Sequence, residues 1–369
     1  MGEEFKSILK KPINLLFIGV GMILVSVLFM IVSTNQYDTF EKQNKRESYQ
    51  IAGSMLAFQF VDVDEGNPIY QNLSEQTQII ARQLNSVLFD QPKKYIESSY
   101  EMTKLRKELR QEEGFNKDIE LLQPTLAKIK MDDAYFSYLL KNDETVYLKP
   151  ETFSTLSLLF FSILGVLWFP ICAFLTANIL EDEYEHKSLV KGQPITFLKR
   201  CLKKYLALFS LFMLNIGSGL ILCLGLTQLF GNSVNDLNNY TVVQLISFSI
   251  LRNWQVILLN VLYLAVLFSF VFVLSVFLNV LLRNFYLTLI IEMLFYSLTI
   301  LLPEFISDSP WYLGGYLIPT YLFEGKFLTD SSSALLNPLF GMGYLLVMSG
   351  VLLFLISSLS KRGLKGVKA

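Results

Sequence analysis

The chain has 369 residues, of which 52% are hydrophobic and only 17% are charged. A soluble globular domain carries about 25% charged residues, so this composition favours a membrane protein. The 31 Lys and Arg nearly balance the 32 Asp and Glu, and without a basic excess nothing indicates nucleic-acid binding. One histidine, His186, and three cysteines are too few for a histidine-rich metal site or a CxxC pair, so no metal site is expected.

Six uncharged apolar runs predict transmembrane helices, because a helix needs about 20 apolar residues to cross the hydrocarbon core. The runs are 13–33, 153–180, 205–230, 256–282, 285–302 and 339–359. The first has a longer apolar core than the roughly 7 to 15 residues of a signal peptide, so we expect it to be a retained anchor. The sequence therefore predicts an all-α membrane protein with six transmembrane helices.

Lys and Arg accumulate in the short loops of one side of the predicted membrane protein. Fourteen flank the spans there, whereas the short loops of the other side hold only Arg252 and Lys326. Since cytoplasmic loops retain basic residues, we expect both termini in the cytoplasm. The cytoplasmic segments are then 1–12, 181–204 and 360–369, and the extracellular ones are 34–152 and 303–338.

The predicted extracellular domain, 34–152, has 119 residues with 15 basic and 20 acidic side chains and no cysteine. It must therefore be held by packing rather than by disulfides. Apolar side chains recur at helical spacing, at Ile80, Leu84, Val87 and Leu88, at Met102, Leu105 and Leu109, and again after Pro124. The pattern predicts a mainly helical domain, with a possible strand within 48–64. The apolar stripes are expected to form a core, and the alternative is that they line a ligand vestibule.

The segment 303–338 is too apolar for a free loop and is rich in aromatic side chains, which are common at membrane interfaces. Pro310, Gly314, Gly315 and Pro319 divide it into pieces of one or two helical turns. We expect short helices that lie at, or re-enter, the outer leaflet. An interfacial cap without a role in transport is the alternative.

Two residues inside the predicted spans are candidates for function. Glu292 is a carboxyl deep in the fifth span, where an ionised acid costs about 2.5 to 3.5 kcal/mol on insertion scales. It should face the bundle or a wet cavity, either as a structural hydrogen-bonding group or as a group in substrate passage or proton coupling. Pro170 in the second span should kink that helix, which is either a matter of shape or a hinge.

Enzymatic motifs are lacking in the sequence. No GxxxxGK[ST] phosphate loop and no HExxH occur. A membrane serine protease needs a histidine or lysine beside its serine, yet no lysine lies inside a predicted span. We therefore expect no catalytic residues, no cofactor bound by this chain and no enzymatic activity of its own. A membrane enzyme that uses Glu292 is the remaining alternative.

The loop after the second span begins with four acids, Glu181, Asp182, Glu183 and Glu185, and becomes basic through Lys204. Acids near the start of a helix and bases near its end suit the helix dipole. A short helix is therefore expected against the membrane surface, with an acidic turn that either docks on a soluble partner or is only solvated.

This loop resembles the loop after the second span of type-2 ABC exporter permeases. In that family an acidic residue precedes Gly-Thr-Leu, and a Pro-Ile or Pro-Val pair then leads into a basic helix. The counterparts are Glu185, Lys187-Ser188-Leu189 and Pro194-Ile195, followed by Lys199, Lys203 and Lys204. Lys187 and Ser188 depart from the family's Gly and Thr. The organisation is similar over the whole chain, from the amphipathic 1–12 segment to the aromatic pieces before the last span.

The resemblance implies the membrane subunit of a bacterial exporter in the plasma membrane. Its partners would be a second permease copy, as a homodimer, and two copies of a cytoplasmic ATPase that binds ATP and Mg. Glu292 and Pro170 would lie on the transport path or at the dimer interface. The residues implied to couple to the ATPase are Glu181, Glu183, Glu185, Ser188, Leu189, Pro194 and Ile195.

The size of the external domain favours an amphipathic peptide, lantibiotic or drug-like substrate over a simple ion. A protein of another class is the alternative: a sensor or resistance protein that binds an extracellular peptide through 34–152 without transport. The two hypotheses differ in whether Glu183, Glu185 and Pro194 tolerate substitution.

Overall fold

The computed structural model describes residues 12–33, 40–56, 67–115, 117–148, 152–185, 196–229, 235–245, 247–302, 309–325 and 335–365. Over these residues the chain is mostly helical. In chain order the elements are α1 (Pro12–Ser33), α2 (Phe40–Leu56), α3 (Pro68–Leu88), α4 (Pro92–Leu109), α5 (Lys117–Leu122), α6 (Leu126–Lys141), α7 (Phe153–Thr176), α8 (Glu181–Glu185), α9 (Phe197–Leu229), β1 (Tyr240–Gln244), β2 (Phe248–Arg252), α10 (Asn253–Leu282), α11 (Phe285–Leu301), α12 (Pro319–Phe323) and α13 (Pro338–Lys365).

Every one of the six apolar runs is helical, as α1, α7, α9, α10, α11 and α13. Within the described residues, four of these helices are long and apolar enough to cross a membrane, namely α7, α9, α10 and α13. The apolar parts of the other two, Gly19–Ser33 of α1 and Phe285–Leu301 of α11, are shorter. The helices thus have the character of a membrane protein, and six spans stay a prediction. We refer to these six helices as the bundle.

The bundle is organised around α7 and α10, which pack against each other. α13 covers α10, α9 packs on α1, and α7 also contacts α1, α9 and α11. Aromatic side chains fill the centre: Trp168 meets the edge of Phe212 at 4.9 Å between ring centroids, and Phe212 lies 4.4 Å from Phe268. Trp168 Nε1 donates to the carbonyl of Leu264 at 2.8 Å, so this buried ring leaves no N–H unsatisfied.

The helices α2 to α6 form a second unit, which we call the helical domain. Its core contains Ile51, Leu73, Ile80, Met102 and Leu109. The predicted apolar stripe of 102 to 109 therefore forms a core, as does the first part of the stripe that starts at Ile80, whereas Leu88 at its end is exposed. Proline and caps set its helix starts, since Pro68 and Pro92 occupy the first turns of α3 and α4, and Thr125 Oγ1 caps α6. The possible strand was wrong for 48–56, which lies within α2, and 57–64 falls outside the described residues.

A short antiparallel hairpin, β1 and β2, joins the helical domain to the bundle. The rest of the described chain is mostly helical, which is consistent with the expected all-α class, and the hairpin is an element that the sequence did not predict. The hairpin packs on α6, where Tyr135 Oη donates to the carbonyl of Tyr240 at 3.1 Å and the Tyr138 and Tyr240 rings meet at 5.1 Å. β2 continues directly into α10, so the helical domain contacts an extension of a central bundle helix.

The aromatic segment before α13 contains the two short pieces that its proline and glycine residues predict, a 3₁₀ turn at Leu313–Tyr316 and α12. Both are buried in the bundle rather than spread over its surface. Thr320 Oγ1 donates to the carbonyl of Ser162 in α7 at 2.6 Å, and Tyr263 Oη of α10 donates to the carbonyl of Tyr316 at 2.9 Å. The depth of this segment in a membrane stays a prediction.

Candidate functional site

Glu292 lies on a polar stripe along α11. Thr288, Glu292, Tyr296 and Thr299 follow helical spacing and are all buried, with Glu292 fully so. The opposite face of α11 is apolar and exposed, as at Ile290. A helix with its polar side inward suits an apolar surrounding, and Glu292 faces the bundle as its sequence position predicts.

The carboxyl of Glu292 is held by a hydroxyl group from α10 and connects to α7 through it. Ser275 Oγ donates to Glu292 Oε1 at 2.6 Å. Thr176 Oγ1 lies 2.7 Å from Ser275 Oγ and 2.7 Å from the carbonyl oxygen of Cys172. Three helices therefore meet through one small polar cluster. Among the described residues, Glu292 Oε2 and Thr288 Oγ1 have no hydrogen-bond partner, so the cluster has unused hydrogen-bonding capacity.

Pro170 lies in the part of α7 whose residues contact Tyr296 of α11. A proline inside a helix leaves the carbonyl four residues earlier without its usual N–H donor. In α7 this carbonyl belongs to Val166, and it accepts a short hydrogen bond from Tyr296 Oη of α11 instead. The rings of Phe169 and Tyr296 stack at 5.5 Å. The structure thus brings Pro170 and Glu292 to one interface, which the sequence treats as two separate features.

The loop residues implied to couple to an ATPase are divided by the structure. Glu181 is exposed at the start of α8. Glu183 points toward α9, where its oxygens lie 3.2 Å from Arg200 Nη2 and 3.3 Å from Lys204 Nζ. Its side chain is 10% exposed, so an acid expected on an exposed docking turn instead holds α8 to α9. The side chain of Glu185 and the residues Ser188, Leu189, Pro194 and Ile195 lie outside the described part.

A second connection runs from α8 to the Glu292 cluster. Tyr184 Oη donates to the carbonyl of Asn279 in α10 at 2.8 Å, and burial raises the pKa of this phenol, so it stays a neutral donor. Asn279 Nδ2 donates to the carbonyl of Ala177 at 2.6 Å and to that of Ser275 at 2.8 Å. Ser275 in turn holds Glu292. Hydrogen bonds therefore link the loop helix α8 to the carboxyl of α11 through α10.

Sequence reasoning missed Tyr184, Asn279, Ser275 and Thr176 as parts of this site. A signal did exist, since Ser275 and Asn279 are polar residues one turn apart in an otherwise apolar helix. Single serines and asparagines in membrane helices often only hydrogen-bond their own backbone, and the pattern alone does not identify the partner. Among the described residues, no group of three or more His, Cys, Asp or Glu is placed to hold a metal ion.

Comparison with known protein families, curated proteins and solved structures finds no match for this chain. The geometry of the α7, α8, α10 and α11 contacts therefore supplies the structural support for a function.

Proposed function

We propose that the chain is the membrane permease subunit of a bacterial ATP-driven exporter, similar to type-2 ABC permeases. It would have six spans and both termini in the cytoplasm, and it would move an amphipathic peptide, lantibiotic or drug-like substrate outward. The observation that carries the proposal is the hydrogen-bonded connection from α8 through Tyr184, Asn279 and Ser275 to Glu292. A loop that drives a transport path needs such a rigid connection to the path.

In this proposal α8 and the loop 181–204 receive the motion of a partner ATPase. Two ATPase copies would bind ATP and Mg, and this chain would bind neither. The salt bridges of Glu183 with Arg200 and Lys204 would transfer displacement of α8 to α9. The hydrogen bond of Tyr184 would transfer it to α10. Two helices then move with one loop.

The α7 and α11 interface would be the element that rearranges. Pro170 leaves the Val166 carbonyl to be held by Tyr296 rather than by the backbone of α7. A hydrogen bond between helices exchanges partners without breaking either helix. Glu292 Oε2, which has no partner among the described residues, would meet polar groups of the substrate. The exposed apolar face of α11, with Leu287, Ile290 and Leu294, would contact lipid or the second permease copy.

The test is reconstitution of the permease with the ATPase that co-purifies with it in mild detergent. We expect ATP hydrolysis by the complex and ATP-dependent movement of peptide or drug-like probes in proteoliposomes. Glu181→Arg, at the exposed start of α8, should lower the ATP-dependent transport about tenfold or more, because it reverses charge where the ATPase would dock. Glu75→Arg reverses an equally exposed charge in the helical domain and should have no effect. Purification of the chain without any ATPase, or equal transport by both variants, would contradict the proposal.

A second candidate function is a sensor or resistance protein that binds a ligand without transport. A cavity in the helical domain, between α2, α3, α4, α6 and β1, favours it. Under this alternative the ligand would bind, yet no ATPase would associate and Glu181→Arg would be silent.

A further inference from the structure

The helical domain contains a cavity of about 260 Å³ where its helices meet the hairpin. Its lining includes Asn44 of α2, Gln83 of α3, Arg106 of α4, Asp132 of α6 and Tyr240 of β1. The residues come from five elements that are distant in the sequence. The cavity is smaller than the roughly 300 to 1,000 Å³ of a pocket for a drug-sized ligand, so its size suits one small molecule or one residue of a peptide.

Three residues of the lining are almost fully buried and have an unsatisfied polar atom. Asn44, Gln83 and Arg106 are 3%, 4% and 4% exposed. Among the described residues, Asn44 Nδ2, Arg106 Nε and Gln83 Oε1 have no hydrogen-bond partner. Buried polar groups are normally paired, so three unpaired ones on side chains that line the same cavity make it a candidate binding site. Two of the atoms are donors and one is an acceptor.

The charges around the cavity are balanced. Arg106 Nη2 lies 2.7 Å from Glu47 Oε2, and Lys128 Nζ lies 2.8 Å from Asp132 Oδ1. Burial raises the pKa of Asp132, although Lys128 opposes this effect. With two cations and two anions in the lining, an occupant with a net charge would remain uncompensated. An occupant that carries both charges would not.

The rest of the wall is aromatic and apolar. Tyr95 packs edge-on against Phe40 at 5.1 Å and against Phe136 at 6.4 Å. Met102 and Met131 complete this part of the lining. Aromatic rings and methionine accept apolar groups of varied shape. The cavity therefore offers a polar end and an apolar wall to the same occupant.

We propose that this cavity binds a small zwitterion with an apolar side chain, either a free amino acid or a very short peptide with both termini free. The carboxylate of the ligand would lie against Arg106 and Asn44, and its ammonium group against Gln83. Small rotations of these buried side chains would turn their unpaired atoms toward the ligand. The apolar side chain would pack on Tyr95 and Phe136. This assignment rests on the cavity alone and does not depend on export, because binding requires no ATPase.

Occupation of the cavity would also act on the hairpin. Tyr240, Thr241 and Val242 of β1 form part of its wall, and Tyr135, another lining residue, donates to the carbonyl of Tyr240 at 3.1 Å. β1 pairs with β2, and β2 continues into α10. A ligand in the cavity would therefore contact the hairpin that leads into the bundle.

The experiment is calorimetric titration of the purified full chain in detergent micelles, without any ATPase. The probes are L-leucine, L-phenylalanine, the dipeptide Leu-Leu and N-acetyl-phenylalanine amide, which lacks both charges. We expect at least one zwitterion to bind about tenfold or more tightly than the blocked amide. Tighter binding of the free amino acids indicates a free amino acid as the ligand, whereas tighter binding of the dipeptide indicates a short peptide with both termini free.

A matched pair of variants connects binding to the cavity. Gln83→Leu removes the unpaired acceptor from the lining, and we expect it to weaken binding about tenfold or more. Gln76→Leu is the control, because Gln76 is equally buried on the same helix and has an unsatisfied Oε1 but does not line the cavity. It should bind as the wild type does. Thermal unfolding of both variants checks that each is folded.

Three results would overturn the proposal. No probe binds the wild-type chain at millimolar concentration, the blocked amide binds as tightly as the zwitterions, or the two glutamine variants bind equally well. Failure of the exporter proposal leaves these results unchanged, since the titration involves neither transport nor ATP.

Discussion

At the scale of single residues, the partners of a side chain define its role more than the residue type does. Glu183 and Glu181 are both acids of the same short helix, yet Glu183 is paired with Arg200 and Lys204 while Glu181 is exposed. The sequence could not separate them, because the partners of Glu183 are supplied by the next long helix. The fully buried Glu292 was identifiable from its apolar neighbours, whereas Ser275, which holds it, was not.

The hydroxyl group of Tyr184 makes the hydrogen bond that joins α8 to α10, so Tyr184→Phe is a direct test of coupling. Loss of one hydrogen bond of 2.8 Å should cost about 0.5 to 1.5 kcal/mol of stability. We expect ATP hydrolysis by the assembled complex to continue while transport per ATP falls severalfold. Tyr205→Phe is the control, because it removes the contact of Tyr205 Oη with Ser269 Oγ at 2.8 Å inside the bundle. Equal loss of transport in both variants would mean that stability, and not coupling, is what changed.

The raised pKa of Tyr184 gives the same contact a pH dependence with a defined sign. A phenol whose pKa is raised by burial stabilises the folded protein fully below the unfolded-state pKa of about 10, and this stabilisation is lost as pH rises from that value through the higher folded-state pKa. Transport should therefore be insensitive to this group near neutral pH. The unfolding temperature of the wild type minus that of Tyr184→Phe, measured from pH 7 to 11, should shrink at the alkaline end. A difference that grows with pH would contradict the burial of the phenol.

Glu292→Gln separates the structural and functional roles of the carboxyl. In the wild type Ser275 Oγ donates to Glu292 Oε1 at 2.6 Å. Gln keeps an oxygen that can accept this hydrogen bond and has a similar side-chain volume. The protein should therefore fold with an unfolding temperature close to that of the wild type. If Glu292 takes part in substrate passage, transport falls about tenfold or more. Undiminished transport would mean that the carboxyl of Glu292 only holds α11 to α10.

At the scale of elements, α12 packs closely on α7 because residue 165 of α7 is a glycine. A Cβ atom on Gly165 would collide with Thr320 Oγ1 and lie 3.2 Å from the backbone nitrogen of Thr320. Gly165→Ala should thus displace α12 and lower stability by about 1 to 3 kcal/mol, as overpacking does. Gly217→Ala, in α9, meets nothing within 4 Å and should be neutral or slightly stabilising. Thermal unfolding in detergent measures both, and an equal effect would show that α12 is not packed on α7 in solution.

The elements also show how far the sequence determines the fold. Apolar runs predicted all six bundle helices, and the apolar pattern after Pro124 predicted the start of α6, because these signals lie within one helix. The hairpin was missed, since two strands of five residues each lie within a connection between long apolar helices. The cavity could not be predicted from the sequence either, because its lining comes together only when four helices pack. Asn44, Gln83, Arg106 and Asp132 belong to α2, α3, α4 and α6 in turn. Tertiary contacts between distant segments leave no periodic pattern in the sequence.

At the scale of the whole molecule, α7 and α10 both begin against the 3₁₀ turn Asn235–Asn238, which precedes the hairpin that contacts the helical domain. There Asp236 Oδ2 accepts from the backbone N–H of Ser154 at 3.0 Å, and the Asp236 carbonyl accepts from Asn253 Nδ2 at 2.9 Å. Asp236 is 2% exposed. Asp236 thus connects the beginnings of the two central helices, through its carboxylate to α7 and through its backbone carbonyl to α10, just before the hairpin that touches the helical domain. Negative charge at a helix start is favourable for the helix dipole.

Asp236→Ala should therefore loosen this junction rather than either unit alone. The lost acceptor and the lost charge at the start of α7 should cost about 1 to 2 kcal/mol. Hydrogen exchange of the full chain should show faster exchange in the first turn of α7 and in the adjoining β1 and β2. The start of α10, whose Asn253 still reaches the backbone carbonyl at this position, and the cores around Leu73 and Phe268 should remain protected. Asp236→Asn keeps an oxygen acceptor and should lose less. If exchange rises uniformly in both units, Asp236 contributes only to global stability, and the two units are joined by the hairpin contacts of Tyr135 and Tyr138 with Tyr240.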